Sequence, residues 1–389
     1  MHIQKCWGYL LFASGLLGMS EPLAGQTKCA GDTALLTFLH ANGRSPDAYL
    51  LEKFKRADVV LLGEDHHVKQ NLLFVQDLIP ALYRAGVYAI GMEFGAAEDQ
   101  AALDALVNAP EYDTAMARRI MFHYNVAWAF QEYMDVYRKA WAFNKTLPKG
   151  SRRFRILNLS YVYNWEGFAG RRTPENMAQV FYKGTADKFR AELIENQVLS
   201  KGEKILALVG TPHAYTRYAQ PEFQYNNDNF CAYDSNWLGN RLLQRYPGRV
   251  LSVLLHQPFP NRINQSPALL SPADGCIEAL MAAMGNAPLG FDLAGTPVGE
   301  LSDNSFFSMC YPGFRLKAFF DGYIFLAPFS ALQSCTIDEA FVDEQNIATA
   351  LKQAPDPDWH GRQQSLEEFR QLIRSMADTE KRYARIGVE

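Results

Sequence analysis

Six short runs of consecutive apolar residues constrain this chain more than any other feature. They fall at Ala57–Leu62, Tyr88–Met92, Arg155–Leu159, Lys204–Val209, Val250–Leu255 and Tyr323–Ala327. A strand with one wet face alternates apolar and polar residues; these runs do not alternate, so each must be buried on both faces. Longer segments with helical spacing lie between them. The first carries Leu72, Val75, Leu78, Ile79 and Leu82 at intervals of three or four, with Pro80 expected to kink it and Gly86 to end it. Further helices are expected at Ala97–Val107, at Thr114–Asn144 with a break, at Pro174–Tyr182 and at Ala186–Leu199. Doubly buried strands alternating with helices predict an α/β fold, a mostly parallel central sheet flanked by helices. Trp128, Tyr133, Tyr137 and Trp141 form an aromatic series at helical spacing, which reads as a helix packed on that sheet.

A chain of 389 residues, 48% hydrophobic and 21% charged, buries a sizeable core and is not a disordered polymer. Its net charge of -4 leaves no basic excess for a phosphate backbone, so nucleic acid is not an expected partner. Lys5, the apolar run Cys6–Met19 and the small residues to Gly25 read as a secretory signal peptide over residues 1–25. That run falls short of the roughly 20 residues a spanning helix needs, and no later stretch reaches it. The expected mature protein is therefore exported, periplasmic or secreted, with no integral membrane segment. Gln26, Thr27 and Lys28 before Cys29 are not the small-residue box of a lipoprotein, so lipid anchoring is the minority reading. Cys29, Cys231, Cys276, Cys310 and Cys335 predict one or two disulfides, with the connectivity open. Residues 30–335 read as one α/β catalytic or ligand-binding domain and 336–389 as a C-terminal helical extension, its charged amphipathic stretch Ser365–Ile386 packed outside. Gln257–Leu301 reads as loop-heavy, broken by one helix at Ile277–Met284.

Ligands of open parallel sheets bind at the carboxyl ends of the strands, where loops vary on a rigid frame. There the first run leads into Gly63-Glu64-Asp65-His66-His67, the second into Glu93-Phe94-Gly95, the third into Ser160-Tyr161, the fourth into Gly210-Thr211-Pro212-His213 and the fifth into His256. Of the 8 histidines, four thus follow a strand on one rim. His256, ahead of Gln257-Pro258, reads as structural. Glu93 at the rim of a buried sheet needs a partner or a metal, because an unpaired buried charge costs several kcal/mol. Gly63 and Gly210, each three residues before a histidine, let the backbone approach a ligand closely. Glu64, His66, His67, Glu93 and His213 are the candidate catalytic residues, and they supply the mixture used for general acid–base hydrolysis. His66, His213 and Glu64 are the candidate ligands for a divalent metal ion. Tyr161, Tyr163 and Trp165 are candidate substrate contacts. Arg152, Arg153, Arg155, Arg171 and Arg172 read as a solvated basic surface.

The stretch Val59–Ala101 resembles the erythromycin esterase, ChaN-like and Tiki/TraB superfamily. The esterases' G-E-x-x-H signature falls on Gly63, Glu64 and His67, with the second-strand acid at Glu93. Paired G-x-x-H motifs of Tiki-type metalloproteases fall on Gly63/His66 and Gly210/His213, and the ChaN-like G-E-x-H form on Glu64 and His66. The doubled histidine satisfies all three spellings. The esterases have an arginine in the helix after the first motif, where this chain has Gln76 and no arginine before Arg84, which argues for a substrate other than a macrolide. The resemblance implies a hydrolase with a small-molecule or peptide substrate; its alternative is a ChaN-like iron- or haem-binding protein without catalysis. No CxxCH haem attachment site is present, so any haem would be non-covalent.

Overall fold

The structure, a computed structural model, describes residues 29–387 apart from 167, 169–171, 224–229, 263–267 and 355–362. The signal peptide expected over residues 1–25 and Arg171 lie outside the described residues. In chain order the strands are β1 Val59–Glu64, β2 Ala89–Ala96, β3 Arg155–Ser160, β4 Ile205–Gly210, β5 Gln220–Phe223, β6 Cys231–Asp234, β7 Val250–Leu255, β8 Phe259–Pro260, β9 Leu269–Leu270, β10 Leu289–Asp292 and β11 Gly322–Phe325. One sheet has the order β10-β11-β7-β1-β4-β2-β3, parallel throughout except for β10, which runs antiparallel to β11 at the edge. All six apolar runs became strands of this sheet. The edge strand β10 did not announce itself: it has four residues and sits in the Pro- and Gly-rich region that reads as loop, where too few positions exist to show a period.

The absence of alternation has the anticipated cause. Val60 and Leu62 of β1 pack with Leu72, Val75 and Tyr133 on one face, while Val59 and Leu61 pack with Ile194, Leu238 and Leu242 on the other. Full burial of each such side chain contributes about 1.5–3 kcal/mol, so both faces favour the apolar run. The helix after β1 spans Lys69–Arg84, continues through Pro80, and ends before Gly86, whose φ of 79° suits glycine. The expected break in 114–144 separates helices Thr114–Tyr124, capped by the Asp113 side chain, and Gln131–Thr146.

Cys29 is bonded to Cys276 and Cys231 to Cys310, leaving Cys335 free and buried. No helix of the described residues is long and apolar enough to cross a membrane. The tail helix Leu366–Ala377 packs Phe369, Ile373 and Ala377 into the core, and the short helix Thr379–Tyr383 then reaches the loop after β1. There Arg382 Nη2 donates to the His66 carbonyl at 3.0 Å, Thr379 Oγ1 to the His67 carbonyl at 3.2 Å, and the Tyr383 hydroxyl to Asp65 Oδ2 at 2.7 Å.

Candidate functional site

Sheet order brings the rim residues together. Because β4 lies between β1 and β2, Glu64 is level with Gly210 and Met92 with Leu208, so Glu64, Glu93 and the Gly210–His213 segment share one rim. His213 follows β4 directly, on the turn Thr211–Ala214.

Two charge clusters form there. In the first, Glu64 Oε1 accepts from the Tyr133 hydroxyl at 2.8 Å and faces His66 Nδ1 at 3.1 Å. Burial pushes the Glu64 carboxyl up, only partly countered by its bonds to His66 and Tyr133. Burial alone would lower the His66 imidazole, but its bond to Glu64 and the surrounding carboxylates raise it. In the second cluster, Glu93 Oε1 lies 3.0 Å from Arg190 Nη2 and 3.2 Å from His213 Nε2, while Oε2 accepts from the Gly210 N–H at 2.7 Å. Burial works to raise the Glu93 carboxyl, and the two cations overturn that and hold it well below the usual carboxylate range. His213 Nδ1 is 2.7 Å from Asp187 Oδ1. Burial by itself would lower this imidazole, yet Glu93 and Asp187 on either side push it up to about 9. His213 is thus an imidazolium held between two carboxylates at neutral pH.

Gly210 earns its place at this junction. An added Cβ would stand 2.7 Å from His66 Nε2 and 3.4 Å from Glu93 Oε2, so only glycine lets the imidazole and the carboxylate close on the end of β4. Gly63 does not serve a ligand in that way. It lies within β1, and its Cβ would meet the Phe320 ring at 3.2 Å and Ala214 at 3.3 Å, so it is a packing glycine.

The doubled histidine is divided by the backbone. His66 lines a cavity of about 690 Å³ together with Glu93, Arg190 and His213. His67, at φ 70°, turns away into a slot between Trp128 and Phe130, with ring centroids at 4.6 and 4.3 Å. Neither ring nitrogen of His67 has a hydrogen-bond partner among the described residues, and burial holds the imidazole well below its usual pKa. His256 is also buried, between Tyr323 and Glu278, with both contacts at 2.6 Å. Tyr163 and Trp165 line the cavity. Tyr161 does not: it is fully buried, packs on Phe189 at 4.9 Å and donates to the Gly184 carbonyl. Among the described residues no three His, Cys, Asp or Glu side chains are grouped as metal ligands, so Glu64, His66 and His213 do not form the expected set.

Three site residues escaped the sequence reading. Tyr133, whose place in the aromatic series predicts helix packing alone, also bonds Glu64 and accepts the His67 N–H at 3.3 Å. Asp187 and Arg190 come from the helix Ala186–Gln197. A signal existed for them, since both share the register of Ala191 and Ile194, the face that is buried, and charges there require partners. Gln76 donates to the Glu132 carbonyl at 2.9 Å.

Fold and site together define an α/β protein with a carboxylate–histidine cavity at the carboxyl rim of a mostly parallel sheet. Residues 50–147, which hold Glu64, His66, His67 and Glu93, match the family described as haem-binding uptake, Tiki superfamily, ChaN. No curated protein matches the chain. Among solved structures, a succinoglycan biosynthesis protein is similar at TM-score 0.50 and 10% identity, covering 82% of this chain and 100% of its own. A mutant of the erythromycin esterase EreC in its open conformation aligns at TM-score 0.47 and 12% identity, over 72% of this chain and 92% of its own. ChaN of Campylobacter jejuni, solved with cofacially bound haem, aligns at TM-score 0.34 and 15% identity, over 54% of this chain and 85% of its own. At 10% identity the likeness to the succinoglycan biosynthesis protein is one of fold.

The family description implies haem. An axial ligand needs a free donor atom with clearance for the macrocycle. His213 has both ring nitrogens on carboxylates, so it does not fit that role. His66 lines the cavity and has only Nδ1 bonded to Glu64.

Proposed function

We propose that the protein is an exported hydrolase that activates water at His66 against an ester, amide or peptide bond of a small molecule or peptide. The observation that carries this reading is the Glu64–His66 pair at the floor of a large cavity, with Glu64 itself held by Tyr133. Glu64 orients the ring and stabilises its cationic form, as a general base requires. As the water oxygen bonds to the carbonyl carbon, its proton passes to His66 and the carbonyl π pair moves onto oxygen. That pair returns as the bond to the leaving group breaks, and the leaving group takes the proton from His66. The charges of Arg190 and His213 are balanced by Glu93 and Asp187, and Arg190 Nη1, which has no partner among the described residues, is the donor that stabilises the developing oxyanion. His67, buried in its aromatic slot, has no part in these steps. Export is supported by the two disulfides, which belong to oxidising compartments.

The test is a screen of aryl and alkyl esters, amides and a peptide with the wild type and His66→Ala, each with and without chelator. Hydrolysis that survives chelation and is lost in His66→Ala supports the reading. An inert wild type that takes up haemin, with a Soret band lost in His66→Ala, moves the protein to the binding alternative.

A further inference from the structure

The hydrolytic reading leaves the walls of the cavity unused, and they are not neutral in character. Of the seven Phe, Tyr and Trp rings that line it, six form an unbroken series that starts beside His66. Trp128 stacks on Phe94 at 3.6 Å and 8°, Phe94 meets Tyr124 at 6.1 Å, Tyr124 meets Tyr163 at 6.0 Å, Tyr163 meets Phe181 at 5.1 Å, and Phe181 meets Trp165 at 5.8 Å. His66 itself stands edge-on to Phe94 at 4.9 Å and Trp128 at 5.5 Å, so the wall and the proposed base are in contact. Ring faces and edges at these spacings favour a flat apolar guest, which gains offset or edge contacts that a hydrated polar chain does not.

A second observation fixes the polar end of such a guest. Arg190 is 2% exposed and lines the cavity. Its Nη2 serves Glu93 and the Tyr163 hydroxyl, at 3.0 and 3.4 Å, and its Nε serves Ser160 at 3.0 Å. Its Nη1 is buried with no hydrogen-bond partner among the described residues. A buried guanidinium nitrogen without an acceptor is costly and marks a place for one. Glu93 and Asp187 already balance the charges of Arg190 and His213, so the acceptor called for is a neutral oxygen rather than an anion.

We propose that the cavity takes a ring-bearing, apolar carbonyl compound, its rings along the wall from Trp128 to Trp165 and its carbonyl oxygen on Arg190 Nη1. This rests on the hydrolytic reading for its chemistry, where the bound oxygen is the one that becomes the oxyanion, but not for its binding.

Binding is therefore measured with molecules that cannot be hydrolysed. Methyl naphthyl ketone, ethylnaphthalene and acetone are compared by equilibrium dialysis against the full chain. The ketone is expected to bind saturably and about tenfold tighter than the hydrocarbon, the value of one good hydrogen bond to a charged donor, with acetone not retained. Trp165→Ala should weaken both naphthalenes alike, and Arg190→Lys, which keeps a cation beside Glu93 but lacks the free Nη1, should erase the gap between them. Equal affinity of ketone and hydrocarbon for the wild type, or no saturable binding of either, overturns the proposal, as does an Arg190→Lys protein that still prefers the ketone. Saturable ketone binding alongside inert aryl esters upholds the binding assignment and removes the hydrolase reading alone.

Discussion

His213 Nε2 lies 3.2 Å from Glu93 Oε1, and this contact ties the segment after β4 to the carboxylate of β2. Asp187 holds the other ring nitrogen at 2.7 Å, so the imidazolium bridges a strand end and a helix. The consequences divide into those for stability and those for chemistry.

The folded pKa of His213, about 9, is raised above the ordinary value of 6.5. A raised imidazole contributes stability that is full below the unfolded pKa and fades as pH rises through the folded one. The melting temperature of the wild type should therefore fall between about pH 6.5 and 9 by more than that of His213→Gln, which has no such proton to lose. Parallel melting curves for the two proteins across this window would show that the bridge contributes nothing.

The acid limb of the rate profile should report His66. The neutral imidazole is the base, and its pKa is raised, so kcat/KM should drop as pH falls through a value above the ordinary 6.5. Tyr133→Phe removes one bond from Glu64 and should move that limb while leaving the protein folded. An acid limb unchanged in Tyr133→Phe separates the Tyr133–Glu64 contact from the base.

Gly210→Ala tests the close approach at the end of β4. The backbone there, at φ -57°, accepts alanine, so the fold should persist. The methyl group would stand 2.7 Å from His66 Nε2 and must displace the ring. Loss of a positioned base costs on the order of a hundredfold or more in turnover. Full activity with an intact circular dichroism spectrum would mean that Nε2 is not used.

His66→Ala and His67→Ala should fail in opposite ways. The first should lose turnover with little change in melting. The second removes an imidazole packed between Trp128 and Phe130 and should cost about 1–3 kcal/mol of stability, with turnover per folded molecule retained. Chemical denaturation and active-site-normalised rates distinguish the two.

Arg190→Met leaves Glu93 buried with His213 as its remaining cation, and breaking a buried pair from one side costs about 3–5 kcal/mol. Adding Glu93→Gln should restore most of that loss, because no charge is then left uncompensated. A double variant no more stable than the single one would show that the pair is not coupled in this way.

The strands could be read from the chain because burial on both faces leaves a purely local mark, an apolar run without alternation. Their ends could be read too, so Glu64, Glu93 and His213 stand on one rim, whereas the contacts of buried His256 to Tyr323 and Glu278 come from segments its neighbours do not indicate. β10 could not, since four residues at a sheet edge carry no period. Arg190 and Asp187 hid in a helix that looked ordinary, although their register on its buried face was visible.

Sequence alone determined which segments form the sheet and which chemical groups end its strands, because hydrophobic periodicity and chain continuity act over a few residues. The tertiary structure decided the order of those strands, and with it everything that depends on distance across the chain. It set β4 between β1 and β2, so that a glycine separates His66 from Glu93. It supplied the cation for Glu93 from residue 190, and turned His66 into the cavity and His67 out of it. The tail joined the loop after β1 through Arg382 and Tyr383 in the same way. Such pairings are chosen by charge compensation in a low-dielectric interior, which no local pattern records.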